Sequence, residues 1–186
     1  MLKVASSCTD AMLAAHSRYR HDTLKSKLFN AESESDICQA LFSLYDLDLV
    51  GNLEKYRVDY THPEIWLEVK FKINVKDRAD KAKVISQMLH YLHYAPTKRG
   101  EVLLPNTFGI SDNSYITLYD TEAFGNYIIN PGYFKDIKSP SAAHPELERA
   151  LFADPLLKGL QLHVISDYEE VWSEFNKRGA YELSGS

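Results

Sequence analysis

The sequence has no run of eighteen apolar residues, so nothing in it reads as a membrane span. Its two cysteines, Cys8 and Cys38, are too few for a disulfide framework or a structural zinc site. Cys38 lies in an apolar helical stretch and reads as a buried thiol. There is no GxxxxGK[ST] loop and no glycine fingerprint for a nucleotide, so ATP hydrolysis has no seat here. Internal repeats and low-complexity linkers are missing too. The opening stretch MLKVASSCTDAMLAA has one early lysine and an apolar run broken by Ser, Thr and Asp. It does not read as a secretion signal, and a cytoplasmic protein is expected. Positive charge is in deficit, with 21 basic against 26 acidic side chains and a net charge of -5. That balance argues against passive coating of nucleic acid.

What is present suits a soluble single domain spanning residues 1–186. The chain is long enough for a sizeable core. Apolar residues make up 45% and charged residues 25%. Twelve Tyr and eight Phe supply rigid packing groups. Positive charge is also concentrated locally. Residues 70–83 hold Lys70, Lys72, Lys76, Arg78, Lys81 and Lys83 against Asp77 and Asp80. Residues 16–27 hold Arg18, Arg20, Lys25 and Lys27 against Asp22. Such patches can hold a phosphate backbone, or be the solvated faces of two helices.

Periodicity sets the order of elements. Thr9 or Asp10 can cap a helix through Met12, Tyr19, Leu24 and Leu28. A second helix is expected from Ser33 to Tyr45, with an acidic first turn. Residues 46–54 are turn-like. Tyr56, Val58 and Tyr60 alternate with Arg57 and Asp59 as one strand. After a turn at Thr61–Glu64, Ile65, Leu67, Val69 and Phe71 alternate with Trp66, Glu68, Lys70 and Lys72 as another. The odd-numbered face of that strand is expected to be the buried one. A third helix is expected at about 77–94, ended by Pro96. Strands follow near Glu101–Leu104 and Tyr115–Tyr119, with Gly109 and Asp112–Asn113 as turn or bend residues between them. Residues 130–145 read as irregular, with a short helix near Glu146–Phe152. A strand over Leu160–Ile165 leads to a last helix capped by Ser166. The order predicts a mixed α/β (α+β) domain with helices packed against one central sheet.

The chemistry gathers around three side chains. Asp59 is expected to pair near Ile65–Leu67, which brings Glu68 within its reach. Glu68 and Lys70 are two apart on a strand and share a face. Oxygens from Asp59 and Glu68, with the backbone carbonyl of Val69, can hold a hard cation such as Mg2+. Lys70 can then orient water and stabilise charge on a phosphoryl group. Its neighbouring carboxylates oppose the low pKa a general base would need, so positioning and electrostatics are the expected role. Glu–Lys alternation also occurs on ordinary solvent faces of strands. On the next helix Gln87 and Tyr91 are four apart, with Lys83 four before Gln87, and His90 and Tyr94 extend the same polar and aromatic stripe. Histidines 16, 21, 90 and 93 match no zinc-ligand spacing and read as structural or surface groups. His62 lies in the turn between the two strands.

This combination resembles the PD-(D/E)xK nuclease superfamily, which includes restriction endonucleases and recombination exonucleases. The resemblance covers about residues 30–120. Asp59 matches the Asp that ends or bends one strand, and Glu68-Val69-Lys70 matches the (D/E)xK triplet on the next. Gln87-Met-Leu-His-Tyr91 matches the QxxxY of many members. Glu34 matches the acid on an early helix better than Asp36, because Ile37 and Leu41 share its face. Val58 stands where the family usually has Pro. The resemblance implies a restriction endonuclease-like core, a central mixed sheet flanked by helices. It implies a Mg2+ site, in which Mn2+ can substitute, with Asp59, Glu68, the Val69 carbonyl and Glu34 as ligands. Lys70, Gln87 and Tyr91 complete the catalytic set. The implied activity is endonucleolytic hydrolysis of DNA. The implied partners are DNA and a homodimer mate or further domains or subunits of a restriction system. The residue types equally suit RNA or single-stranded ends, and a non-catalytic DNA-binding or assembly domain would keep the same fold.

Overall fold

A computed structural model describes residues 18–49, 51–53, 58–99 and 103–182. Residues 18–29 form helix α1; the start expected at Thr9 or Asp10 lies outside the described residues. Helix α2 is Glu34–Leu44, followed by strands β1 (Asn52–Leu53), β2 (Tyr60–Thr61) and β3 (Ile65–Val69). Helix α3 (Arg78–Arg99) crosses to β4 (Thr107–Ser111), which turns into β5 (Tyr115–Asp120). The short α4 (Gly125–Ile128) and α5 (Pro145–Ala153) precede β6 (Leu160–His163) and α6 (Tyr168–Lys177).

The strands form one open, mixed sheet in the order β1-β2-β3-β4-β5-β6. Among the described residues only β3 and β4 run parallel; the other pairs are antiparallel. A parallel neighbour needs a long crossover, and α3 supplies it. Helices cover both faces. On one face Leu28, Ile37, Leu41, Tyr45, Val171 and Phe175 pack against Ile65, Leu67, Val69, Ile116 and Leu118. On the other, Ile85, Met88, Leu89, Leu92, Leu147 and Leu151 pack against Trp66, Phe108, Ile110 and Tyr119. All five residues of β3 are therefore buried, not its odd-numbered face alone. A strand covered on both sides exposes neither. Among the described residues no helix is long and apolar enough to cross a membrane.

Several expected boundaries move. Residues 103–105 carry no strand, and residues 101–102 lie outside the described set. The strand is Thr107–Ser111, with Gly109 inside it. A Cβ there would stand 2.7 Å from Leu67 Cδ2 and 2.9 Å from Leu118 Cδ2, so this glycine marks close packing between strands rather than a turn. Strand β3 stops at Val69, short of Phe71, because Lys72 adopts φ 60 and turns the chain away from the sheet. Helix α3 passes Pro96 and ends at Arg99. Proline removes one backbone donor but its fixed φ is helical, and less than one turn follows it. Helix α6 has Asp167, not Ser166, at its N-cap position. Strand β6 ends at His163 rather than Ile165.

A candidate metal centre at the end of the central strands

The register of the sheet decides what Asp59 can reach. Tyr60 pairs with Leu67 and Thr61 with Trp66. One step further along, Asp59 comes level with Glu68 rather than with Ile65–Leu67. Its Oδ2 accepts the Val69 N–H at 2.7 Å. Val69 thus meets Asp59 through its backbone nitrogen. The site lies at the carboxyl ends of β3 and β4, where ligands of open α/β sheets characteristically bind.

Helix α2 delivers the third carboxylate. Ser33 caps it, its side chain accepting from the Asp36 N–H at 3.1 Å. Asp36 in turn accepts from the Glu32 N–H at 3.1 Å, which keeps it at its own helix end. Glu34, in the first turn, points the other way. One oxygen each from Glu34, Asp59 and Glu68 lie within 4.8 Å of one another. The two candidate helix acids are thereby separated: Glu34 joins the cluster and Asp36 builds the cap.

Glu68 ties the remaining residues together. Its Oε1 accepts from Lys70 Nζ at 3.2 Å and from Gln87 Nε2 at 3.2 Å. Gln87 also donates to the Tyr91 hydroxyl at 3.2 Å. The other oxygen, Oε2, is buried and has no hydrogen-bond partner. Glu68 as a whole is 2% exposed. A buried carboxylate oxygen without a donor is costly, and the two other carboxylates beside it add like charge. Burial, then the charge of Asp59, pushes the Glu68 pKa up to about 8, against the pull of Lys70. Burial likewise raises Asp59 to about 6; the Val69 N–H opposes this and Glu34 adds to it. The two acids titrate as a pair. Burial works against the Lys70 ammonium, but Glu68, Glu34 and Asp59 outweigh it and hold its pKa above the ordinary lysine value. Lys70 therefore stays protonated, the state for positioning and charge stabilisation rather than for proton abstraction.

When all three acids are deprotonated, three carboxylates facing one ammonium leave an excess of negative charge. The donor set is entirely oxygen, and one buried oxygen is free. That is the chemistry of a hard divalent cation site. The cluster can in principle coordinate such an ion.

Sequence reasoning missed a cavity of about 290 Å³ that borders the cluster. Glu34, Ser35, Cys38, Gln39, Phe42 and Ser43 of α2 line it, with Asp48 and Asp59. The first six recur at helical spacing, a signal present in the sequence; Asp48 carried none. Cys38, expected to be buried, is half-buried at this wall.

Other expected groups take structural roles. His62 is 2% exposed; its Nδ1 accepts from the Glu64 N–H and its Nε2 donates to the Glu182 carbonyl at 2.7 Å. His90 Nδ1 and His144 Nε2 are 2.8 Å apart, and His93 bonds the Ile128 carbonyl. The basic stretch 70–83 is partly consumed by the fold. Arg78 donates to the carbonyls of Phe152 and Asp154, and the 6% exposed Lys81 donates to that of Lys158. Arg20 pairs with Asp46. Comparison with models of known families, with curated proteins and with solved structures yields no match.

Proposed function

We propose that the chain is a Mg2+-dependent endonuclease that hydrolyses DNA phosphodiester bonds, with a restriction endonuclease-like core of the PD-(D/E)xK type. The observation that carries this reading is the convergence of Glu34, Asp59 and Glu68 on one point, with Lys70 bonded to Glu68. Glu34, Asp59 and Glu68 would hold the cation, which when bound neutralises charge on the phosphoryl group and lowers the pKa of water. Mn2+, with the same preference for oxygen ligands, is expected to substitute.

The chain's own residues do the rest. Lys70, anchored on Glu68 Oε1, directs its remaining N–H bonds at the attacking water or a phosphoryl oxygen and stabilises charge building there. Gln87 fixes the Glu68 carboxylate, and Tyr91 fixes the Gln87 amide. Asp59 is oriented by the Val69 N–H. Cutting both strands of a duplex needs two such sites, which calls for a homodimer or for a second subunit of a restriction system.

A cleavage assay with Mg2+ or Mn2+ tests the reading. Asp59→Ala, Glu68→Ala and Lys70→Ala are each expected to lose about 100-fold or more in rate, the order seen when one charge-stabilising group is removed. Undiminished cleavage by all three variants would sink the assignment. The same assay on RNA and on single-stranded DNA separates the substrates.

A further inference from the structure

The segment that follows Lys70 is built unlike an ordinary connection. Its first backbone donor, the Lys70 N–H, bonds the Ser111 carbonyl at 2.8 Å. Farther on, the Val75 N–H bonds Asp112 Oδ2, while Asp112 Oδ1 accepts from the Tyr115 N–H. Residues 70–75 are therefore pinned along the carboxyl ends of β3 and β4, beside the acidic cluster. Lys72 sits within this segment at φ 60, a left-handed conformation that glycine adopts far more readily. It is exposed, as is Lys76. Lys76 Nζ lies 4.8 Å from the centre of the Tyr115 ring, and Lys72 Nζ lies 5.4 Å from that of Phe71. Lys83, also exposed, is one helical turn before Gln87 on α3 and so flanks the same site.

The acids of this region do not neutralise these lysines. Asp80 Oδ2 accepts from the Asn74 N–H, and Asp77 Oδ2 from the Asp80 N–H. Among the described residues no carboxylate forms a salt bridge with Lys72, Lys76 or Lys83. Arg78 and Lys81 are tied to backbone carbonyls. What remains is a strip of ammonium groups without a carboxylate partner that begins two residues from Lys70, in which Lys76 donates to the Tyr115 hydroxyl at 3.5 Å. The net charge of the chain is negative, so a polyanion would be drawn to such a strip and not to the surface at large.

We propose that Lys72 and Lys76, with Lys83 beside them on α3, track the phosphate backbone of the nucleic acid and place the neighbouring phosphodiester at Lys70. This rests on the nuclease reading above. The lysines contact phosphates remote from the bond that breaks, so they govern capture and leave the chemical step alone. Lys72 holds a strained backbone position because a glycine there would supply no charge.

Cleavage kinetics of a short DNA duplex at fixed Mg2+ over a series of KCl concentrations test the proposal. For the double variant K72M/K76M, KM is expected to rise with kcat nearly unchanged. The slope of log kcat/KM against log salt should become shallower by roughly two units, about 0.9 for each lost phosphate contact. K72R/K76R should restore the wild-type slope. Lys72→Gly should keep or raise the thermal midpoint, since it relieves the backbone, and still lose its share of the slope. An unchanged slope in K72M/K76M, or a fall in kcat without a rise in KM, overturns the proposal while leaving the nuclease reading standing. Absence of DNA cleavage by the wild-type protein overturns the nuclease reading itself.

Discussion

Glu68 holds the site together, because each of its oxygens has a different situation. Oε1 takes bonds from both Lys70 and Gln87, and Oε2 has none. If Gln87 serves to aim this carboxylate, Gln87→Ala should weaken metal affinity or activity by about 10–100-fold, as loss of a ligand's supporting partner commonly does. Mn2+ titration alongside the cleavage assay measures it, and wild-type values for both would dismiss the amide's role. Tyr91→Phe should cost less, since Gln87 keeps its bond to Glu68. These groupings were legible in the sequence because they depend on spacing alone: two residues on a strand, four on a helix. Helical phase favoured Glu34 over Asp36 but left both open; the bond from the Glu32 N–H to Asp36 and the convergence of Glu34 with Asp59 and Glu68 separate them. The fate of Arg78 and Lys81 was not legible, since their partners lie 74 to 77 positions away along the chain.

Two elements set the geometry: the first turn of α2 and the central pair β3–β4. The first turn of α2 is held by Ser33 and Asp36, and it aims Glu34 at the cluster. Ser33→Ala should lower the unfolding free energy by about 1 kcal/mol, the usual loss for a serine N-cap. Denaturant unfolding checks the figure, and an unchanged midpoint would show the cap to be dispensable. This helix was read correctly because its cap and its apolar period agree. Strand β4 was displaced because Gly109 looked like a bend; its true reason is Leu67 and Leu118, which belong to neighbouring strands. The burial of both faces of β3 was also hidden. Alternation suggests one wet face, but α3 covers the face that carries Trp66 and Glu68. The end of β3 depends on Lys72 at a positive φ, which no side-chain pattern announces.

At the scale of the whole molecule, an acidic cluster is enclosed between two helical layers and a sheet. That enclosure has a consequence for stability. Glu68 and Asp59 hold their protons to higher pH in the folded chain than in the unfolded one. Between about pH 4 and pH 8 the folded state thus binds more protons, and metal-free stability falls as pH rises through that window. Mg2+ binds the deprotonated acids, so its stabilisation should be greatest near pH 8 and fade toward pH 5. Thermal unfolding in EDTA and in Mg2+ at these two pH values measures both effects, and Glu68→Gln should flatten the metal-free dependence. An equal Mg2+ effect at both pH values would contradict the linkage. The mixed sheet with flanking helices was foreseeable from the order of periodic segments, whereas the sharing of one site by α2, the β2–β3 pair and α3 needed the register. Crystals soaked in Mn2+ test that shared site most directly. One anomalous peak among the carboxylates of Glu34, Asp59 and Glu68 is the expected result; no peak there, or manganese bound only elsewhere, would contradict it.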